Sequence, residues 1–520
     1  MVQMTQAQSQ DNSLLERFEV EVASRVPHFE DGPGGPTLVN PTPLVDLTPS
    51  LIECAKQEYS IDLSDRPLTV LGKFESKIAG GSVKVRPAVE IVRDAIARGT
   101  LRRGQKIFEA SSGNFGIALG QLSRLGLDPI ALVSRRLQGG VIEELRRGNV
   151  KTIDLDVDIC PAPGVKADVD TIAANAVAQK VRSDLAGLGL DPQIFDEARQ
   201  EAAALVGRQD VIGLAKLLAR IYDGFCPEQY DNELNVKAHE EVTGPEIDLQ
   251  LAGRNSILGD FRVVCAFGTG GTAEGIGRYV HWRYGKKVVH VVFPLPGQDV
   301  AGIRTREKAV GLKFYDPDMY AGQHEVDFAQ AGRLMRYFIG KGFDIGESSA
   351  LTLYGIIQMA NFSGGGNYVT IVADGASKYE QGSKSGTNSR DEVTLEEATS
   401  NLREYGTILW THTAFVPSEE GVKLIAKSLG CKEGDVKVAG ADEVANLISR
   451  GEVTKVLGEV LRESRGRVLL VCMAGGTSLR AAQALSQKGV SVQSLVGGMS
   501  NLSQKNGRQI STLVRPAALR

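Results

Sequence analysis

The sequence predicts an α/β protein with a parallel sheet, and three observations carry that prediction. Short β-rich runs alternate with amphipathic helical stretches between residues 69 and 134. The alternation breaks over about residues 165–222, which are Ala-rich and helical in spacing, and then resumes. A second α/β unit follows the run from Glu380 to Asp391, which contains no large apolar residue.

Taken in order, residues 1–35 read as a polar N-terminal arm ending in Asp31-Gly-Pro-Gly-Gly-Pro36. Thr69 to Phe74 reads as a strand, Arg86 to Arg98 as a helix, Lys106 to Ala110 as a strand, Gly116 to Leu125 as a helix and Pro129 to Ser134 as a strand. After the helical insertion, Arg262 to Ala266, Val288 to Phe293 and Tyr368 to Ala373 read as strands. The main unit is therefore expected over 36–380, a linker over 381–391 and a C-terminal unit over 392–520. In that last unit Arg467 to Cys472 reads as a strand, Leu479 to Lys488 as a helix and Val490 to Val496 as a strand.

The 520 residues exceed one ordinary domain, and 42% hydrophobic with 23% charged residues is ordinary for a globular chain. A net charge of −4, with both signs mixed along the chain, gives no nucleic-acid footprint and no basic membrane patch. Met1 to Asn12 lacks the pattern of a signal peptide, and no apolar run is long enough to span a bilayer. The six cysteines are scattered, with no CxxC pair, so neither a disulfide framework nor a metal site is expected. The expectation is a cytoplasmic protein.

Four separated segments carry the chemistry. Gly81-Ser-Val-Lys84-Val-Arg86 opens a helix, where positive potential favours the neutral amine that forms a Schiff base. Read alone, Lys84 is an ordinary surface lysine. Glu109-Ala-Ser-Ser-Gly-Asn114-Phe-Gly116 lies between a strand and a helix. It is either a carboxylate-binding turn or a plain N-capped helix start. Phe267-Gly-Thr-Gly-Gly-Thr272 lies in the same setting, and its glycines suit a small phosphate cup better than a dinucleotide fingerprint. Asp374 ends the apolar run Val369-Thr-Ile-Val-Ala, where a ring nitrogen or a helix N-cap would each suit it.

Together these segments resemble the fold type II pyridoxal 5′-phosphate (PLP) enzymes, most closely the cysteine synthase and cystathionine β-synthase family. The resemblance covers roughly residues 40–380, interrupted by the insertion. Ser82-Val-Lys84-Val-Arg86 is similar to the family's lysine motif, and Ser111-Ser112-Gly113-Asn114-Phe115 to its substrate loop. Gly268-Thr269-Gly270-Gly271-Thr272 matches its phosphate cup in full. Gln229-Tyr-Asp-Asn and Thr243-Gly-Pro-Glu246 resemble two further segments. The resemblance implies a two-lobed fold. It makes Lys84 the Schiff-base residue and later the acid/base, and it gives the phosphate to Gly268 through Thr272. Asn114 is then the partner of the ring hydroxyl. Ser111, Ser112 and Gln229 hold the substrate carboxylate, with Gly113 and Phe115 in the same loop. Three departures stand out. Val85 replaces the usual Asp, Phe115 replaces a Thr, and Asp374 stands about where this family presents a Ser to the ring nitrogen.

Beyond the linker, Val468-Leu-Leu-Val-Cys472-Met-Ala-Gly-Gly-Thr-Ser478, with Gly497-Gly-Met499, resembles a rhodanese-like sulfur-transfer domain over about residues 465–502. Cys472 would then lie in a loop of N–H groups that lowers its pKa and cradles a persulfide. Thr477 stands where that family often has Arg. An inert buried cysteine is the other reading.

The implied activity is β-replacement or β-elimination on a serine- or cysteine-type amino acid through an aminoacrylate. The implied partners are that amino acid, a sulfur donor and a second copy of the chain. An enzyme that only eliminates, and a PLP-binding regulatory protein without turnover, are the alternatives.

Overall fold

The strand Leu68–Phe74 is buried at every position from Val70 onward, the pattern of a strand covered on both faces. A computed structural model places it inside a six-stranded sheet. The structure describes residues 6–516 apart from 33–34, 112, 134–138, 156–170, 297, 299, 380–391, 413–414, 465, 474–475, 497 and 507–509. Across the sheet the order is Gly322–Val326, Val289–Pro294, Arg262–Ala266, Gly366–Val372, Leu68–Phe74 and Leu44–Asp46. The first five run parallel, and Leu44–Asp46 is an antiparallel edge. One apolar cluster includes Leu51, Met335 and Ile356, and another includes Ile247, Ile276 and Val289.

A second, three-stranded parallel sheet joins Lys106–Ala110, Asp128–Val133 and Lys151–Asp154, so the main unit has two lobes. The insertion forms three helices, Thr171–Gly187, Pro192–Gly207 and Val211–Ile221. Asp191 and Asp210 cap the last two, accepting the N–H of Gln193 and Gly213. These helices bury Val181, Phe195 and Leu218 in one cluster with Phe108, Ile130 and Ile153 of the small sheet. The insertion is therefore part of the small lobe's core.

The N-terminal stretch that reads as a polar arm contains a helix, Gln6–Glu21. Leu14, Phe18 and Val22 recur at four-residue spacing and are buried in one cluster with Val85, Ile91 and Leu122. Three apolar residues on one face suffice to dock an otherwise polar segment.

The C-terminal unit is a five-stranded parallel sheet in the order Glu392–Val393, Val492–Leu495, Arg467–Val471, Tyr405–Trp410 and Val436–Val438. Trp410 and Val471 share the apolar cluster that contains the insertion helices, while Leu409 and Leu470 belong to a second one. The linker 381–391 lies outside the described residues. Among the described residues, no helix is long and apolar enough to cross a membrane.

Candidate active site

Lys84 reaches its position through the backbone. The turn before it passes through Gly80 and Gly81 at φ of +101° and +69°, conformations open to glycine. The Val83 N–H then donates to Ala373 O at 2.8 Å, which fastens the turn to the carboxyl end of the central strand Gly366–Val372. Lys84 is the residue that precedes the helix Val85–Ala97. Its Nζ donates to Thr269 Oγ1 at 3.2 Å. Burial, helped by the Arg304 guanidinium, lowers its pKa to about 8. The cause is chiefly desolvation, not the helix terminus that the sequence suggests.

Thr269 begins a cup at the start of the 14-residue helix Gly271–Tyr284. Gly270 has φ +92°, and a Cβ there would lie 2.5 Å from Phe314 O, so only glycine fits. Thr269 Oγ1 also accepts from Asn235 Nδ2 at 3.0 Å. Thr272 Oγ1 lies 3.2 Å from His239 Nε2. His239 is held neutral, its pKa lowered to about 3 by burial and by the charges of Arg86 and Lys84.

One cavity brings together Lys84, Ser111, Gly113, Asn114, Phe115, Gln229, Gly268, Thr269, Gly270 and Thr272. These belong to four separated sequence segments. Ser111 Oγ accepts the Gly116 N–H at 2.9 Å, in the first turn of the short helix Asn114–Leu119. Gln229 Nε2 donates to Ala110 O at 3.4 Å. Glu109 accepts the Glu228 N–H at 3.0 Å, and burial raises its pKa to about 8. Gly271 packs against Asn235 and is outside the cavity lining. Ser112 lies outside the described residues.

Asp374 is engaged by two polar side chains. It is fully buried, and its Oδ2 accepts from Asn114 Nδ2 at 2.6 Å and from the Tyr379 hydroxyl. The carboxylate is not part of the cavity lining, whereas Ser348 and Tyr379 are. The β-bridge between Asp374 and Ser82 fixes the backbone there, and Oδ2 of the side chain is taken up by Asn114 and Tyr379, while Oδ1 is buried with no hydrogen bond among the described residues. Ser348 lies in the first turn of the helix Glu347–Ser363. Gly346-Glu-Ser-Ser at a helix start is the signal that could have marked it, as the similar pattern marked Ser111.

Residues 37–374 match the family described as pyridoxal-phosphate dependent enzyme. The chain belongs to that family. Its cofactor is PLP. A cysteine synthase of Emericella nidulans is 28% identical over 332 residues, covering 60% of this chain and 76% of the relative. A cysteine synthase of Aquifex aeolicus is 28% identical over 351 residues, covering 66% of this chain and 89% of the relative. The crystal structure of an O-ureido-L-serine synthase matches with a TM-score of 0.48 and 21% identity, covering 67% of this chain and 94% of that one.

The cavity of this PLP enzyme suits the cofactor. A lysine with a pKa near 8 holds an appreciable neutral fraction at neutral pH, as a Schiff-base amine needs. The glycines of the cup leave the N–H groups of a helix start clear of side chains, which suits a phosphate.

In the C-terminal unit, Cys472 follows the strand Arg467–Val471 and precedes the helix Gly476–Ser486. Its sulfur is buried and accepts from the Ser478 N–H at 3.4 Å and the Ser478 hydroxyl at 3.3 Å. Ser478 Oγ is also 2.8 Å from Ser494 Oγ.

Proposed function

We propose that this enzyme performs β-replacement or β-elimination on a serine- or cysteine-type amino acid in sulfur amino acid metabolism. The observation that carries the reading is the single cavity that joins Lys84, the 111–115 loop, Gln229 and the glycine cup. Bound PLP supplies an aldehyde for Lys84 and an electron sink for charge developing at Cα. In this reading the cup holds the phosphate and Ser348 faces the ring nitrogen. Ser111, Ser112, Gly113 and Gln229 hold the substrate carboxylate. Lys84, released by the incoming amino acid, takes the proton from Cα and returns one later. Phe115, Val141 and Tyr230 give the cavity apolar walls that limit water near the reacting carbon. Two curated relatives named as cysteine synthases support this reaction class.

The C-terminal unit is, in our reading, a rhodanese-like module with Cys472 as its sulfur acceptor. Its support is a cysteine at the carboxyl end of a parallel strand, beside a helix start, with two donors on the sulfur. We also read the setting as cytoplasmic, with the unpaired cysteines among the described residues as its support. A homodimer completes the reading, with the exposed rings of Trp282 and Phe362 as residues a second copy could cover.

The test is borohydride reduction of the purified holoenzyme and peptide mapping, with the pyridoxyl label expected on Lys84. Amino acids bearing a β-leaving group are then supplied with and without sulfide. Keto acid alone identifies elimination and a new amino acid identifies replacement. Label on another lysine, or no bound cofactor, refutes the assignment.

A further inference from the structure

We propose that Asp374 and Lys378 are positioning residues that lock the side-chain amide of Asn114, so that its second N–H proton is presented to the ring oxygen of the cofactor. The inference rests on the PLP reading of the cavity and goes beyond it, because it gives a role to two buried charges that do not touch the substrate.

An asparagine amide has an acceptor end and a donor end. Which way it points is settled by partners that can act in only one sense. Both ends of Asn114 have such a partner. Lys378 Nζ, a donor only, lies 2.7 Å from Asn114 Oδ1. Asp374 Oδ2 lies 2.6 Å from Asn114 Nδ2. The Tyr379 hydroxyl also donates to that oxygen, which marks it as an acceptor. Burial pushes the Asp374 carboxyl up, and the Lys378 charge together with the donors Tyr379 and Asn114 opposes that push.

The amide is therefore pinned at Oδ1 and at one of its two Nδ2 protons. Asn114 lines the cavity while Lys378 and Asp374 do not. The remaining Nδ2 proton lies on the cavity wall that Asn114 shares with Tyr379, whose hydroxyl oxygen is its neighbour there. It suits an oxygen that accepts and does not donate, as an ionised ring hydroxyl does. The same ammonium of Lys378 donates to Gly81 O at 2.9 Å. The lock is thus tied to the turn that delivers Lys84, so the ring-oxygen donor and the Schiff-base lysine are held in register.

Two readouts besides turnover test this: the dissociation constant of PLP from the full-length chain, and the absorption maximum of the bound cofactor. Lys378→Met removes the donor at Oδ1 and lets the amide rotate. PLP should bind about tenfold more weakly, the order expected for one hydrogen bond, and the absorption maximum should shift. Lys378→Arg, which keeps a donor-only cation, should restore most of both. Asp374→Asn is close in shape and replaces an acceptor-only group with one that can also donate. It should weaken binding in the same direction even if Lys378→Met does not fold. In an Asn114→Ala background, Lys378→Met should cost no further affinity, because the lock acts through Asn114. Wild-type affinity and spectrum in both Lys378→Met and Asp374→Asn would overturn the lock while leaving the PLP reading intact. An equal loss in the Asn114→Ala background would overturn it in favour of a purely structural role through Gly81. A wild-type chain that binds no PLP would overturn both readings.

Discussion

Arg86 Nη2 donates to Glu246 Oε2 at 2.6 Å, with both side chains almost fully buried. Arg86 also pairs with Glu75, and Lys73 pairs with Glu246 at 2.6 Å, so two cations neutralise two carboxylates away from water. Arg86 stands in the helix that begins directly after Lys84, and Glu246 stands in the separate helix Gly244–Ala252. The Ser-x-Lys-x-Arg and Thr-Gly-Pro-Glu segments therefore meet as a charged tie that holds the lysine turn. Arg86→Met leaves two buried carboxylates with a single cation. Breaking such a pair costs about 3–5 kcal/mol. Urea unfolding of the full chain should show the first transition at markedly lower denaturant, and an unchanged midpoint would exclude this role.

Cofactor uptake by the PLP-free protein should follow the ionisation of Lys84. Only the neutral amine attacks an aldehyde. Burial and Arg304 bring the pKa from 10.5 to about 8, so the neutral fraction grows as pH rises through about 8. The uptake rate should climb about tenfold per pH unit below that value and level off above about 9. Arg304→Gln removes a cation that disfavours the charged amine, so the rise should move to higher pH. Stopped-flow absorbance reports both curves, and a wild-type rate still climbing at pH 10 would contradict the assignment.

Glu109 gives a stability prediction with a definite sign. Its folded pKa is raised from 4.5 to about 8, chiefly by burial. Between those values the folded state holds a proton that the unfolded state has lost, so this group's contribution to stability falls as pH rises. Glu109→Gln copies the neutral form and removes that dependence. The variant should match wild type near pH 4 and melt at higher temperature near pH 8.5. Comparison of the two melting curves cancels every other titrating group. A constant difference across this range would show that Glu109 does not titrate in it.

Phe115 lines the cavity and also belongs to the cluster of Val85, Ala118, Leu119 and Leu122. Its ring is part of the core and not only a substrate wall. Phe115→Thr should lower stability by about 3 kcal/mol, as other large-to-small core changes do. It should also improve the use of O-acetylserine with sulfide, because the cavity gains room and a hydroxyl. Denaturant unfolding checks the first statement and steady-state kinetics the second.

Lys84, the 111–115 loop and the 268–272 cup were legible in the sequence because each opens a helix marked by glycine and hydroxyl residues, whereas Val141, Tyr230 and Tyr379, which also line the cavity, carry no such joint signal. Gly268 to Thr272 and Ser111 to Phe115 show how local that signal is. For Asp374, a strand-end carboxylate marks the end of the strand but not the direction of its own side chain. That direction was set by Asn114 and Tyr379, 260 and 5 residues away. The helix Gln6–Glu21 was hidden by its polar composition, and short strands such as Tyr405–Trp410 by the absence of flanking turn signals. Arg304, which acts on Lys84, lies in a segment whose sequence gives no hint of burial.

Cys472 yields the last prediction. The Ser478 N–H and hydroxyl both point donors at its sulfur, the polar setting a persulfide on that sulfur would need. A sulfane donor should therefore place a sulfur atom on Cys472, and mass spectrometry should find 32 Da (about one sulfur) on its peptide. Ser478→Ala removes the hydroxyl donor and should slow that labelling several-fold without abolishing it. Direct delivery to the PLP cavity is a separate matter. The cleft beside the small lobe is lined by Ile142, Glu143 and Arg146 on one side and by Arg467, Gln487 and Val492 on the other. Arg467 begins the strand that Cys472 follows, so the sulfur sits at the far end of that strand, about 17 Å away at the usual rise per residue. That cleft lies at the end of the sheet opposite the cysteine, while Val471 and Met473, on either side of Cys472, pack into the apolar cluster of the insertion helices and not into the PLP cavity. Cys472→Ser should abolish sulfur labelling of the C-terminal unit yet leave the rate of keto acid release from an amino acid substrate within about twofold of wild type. A matching loss of both activities would mean instead that the sulfur reaches the PLP cavity within a single turnover.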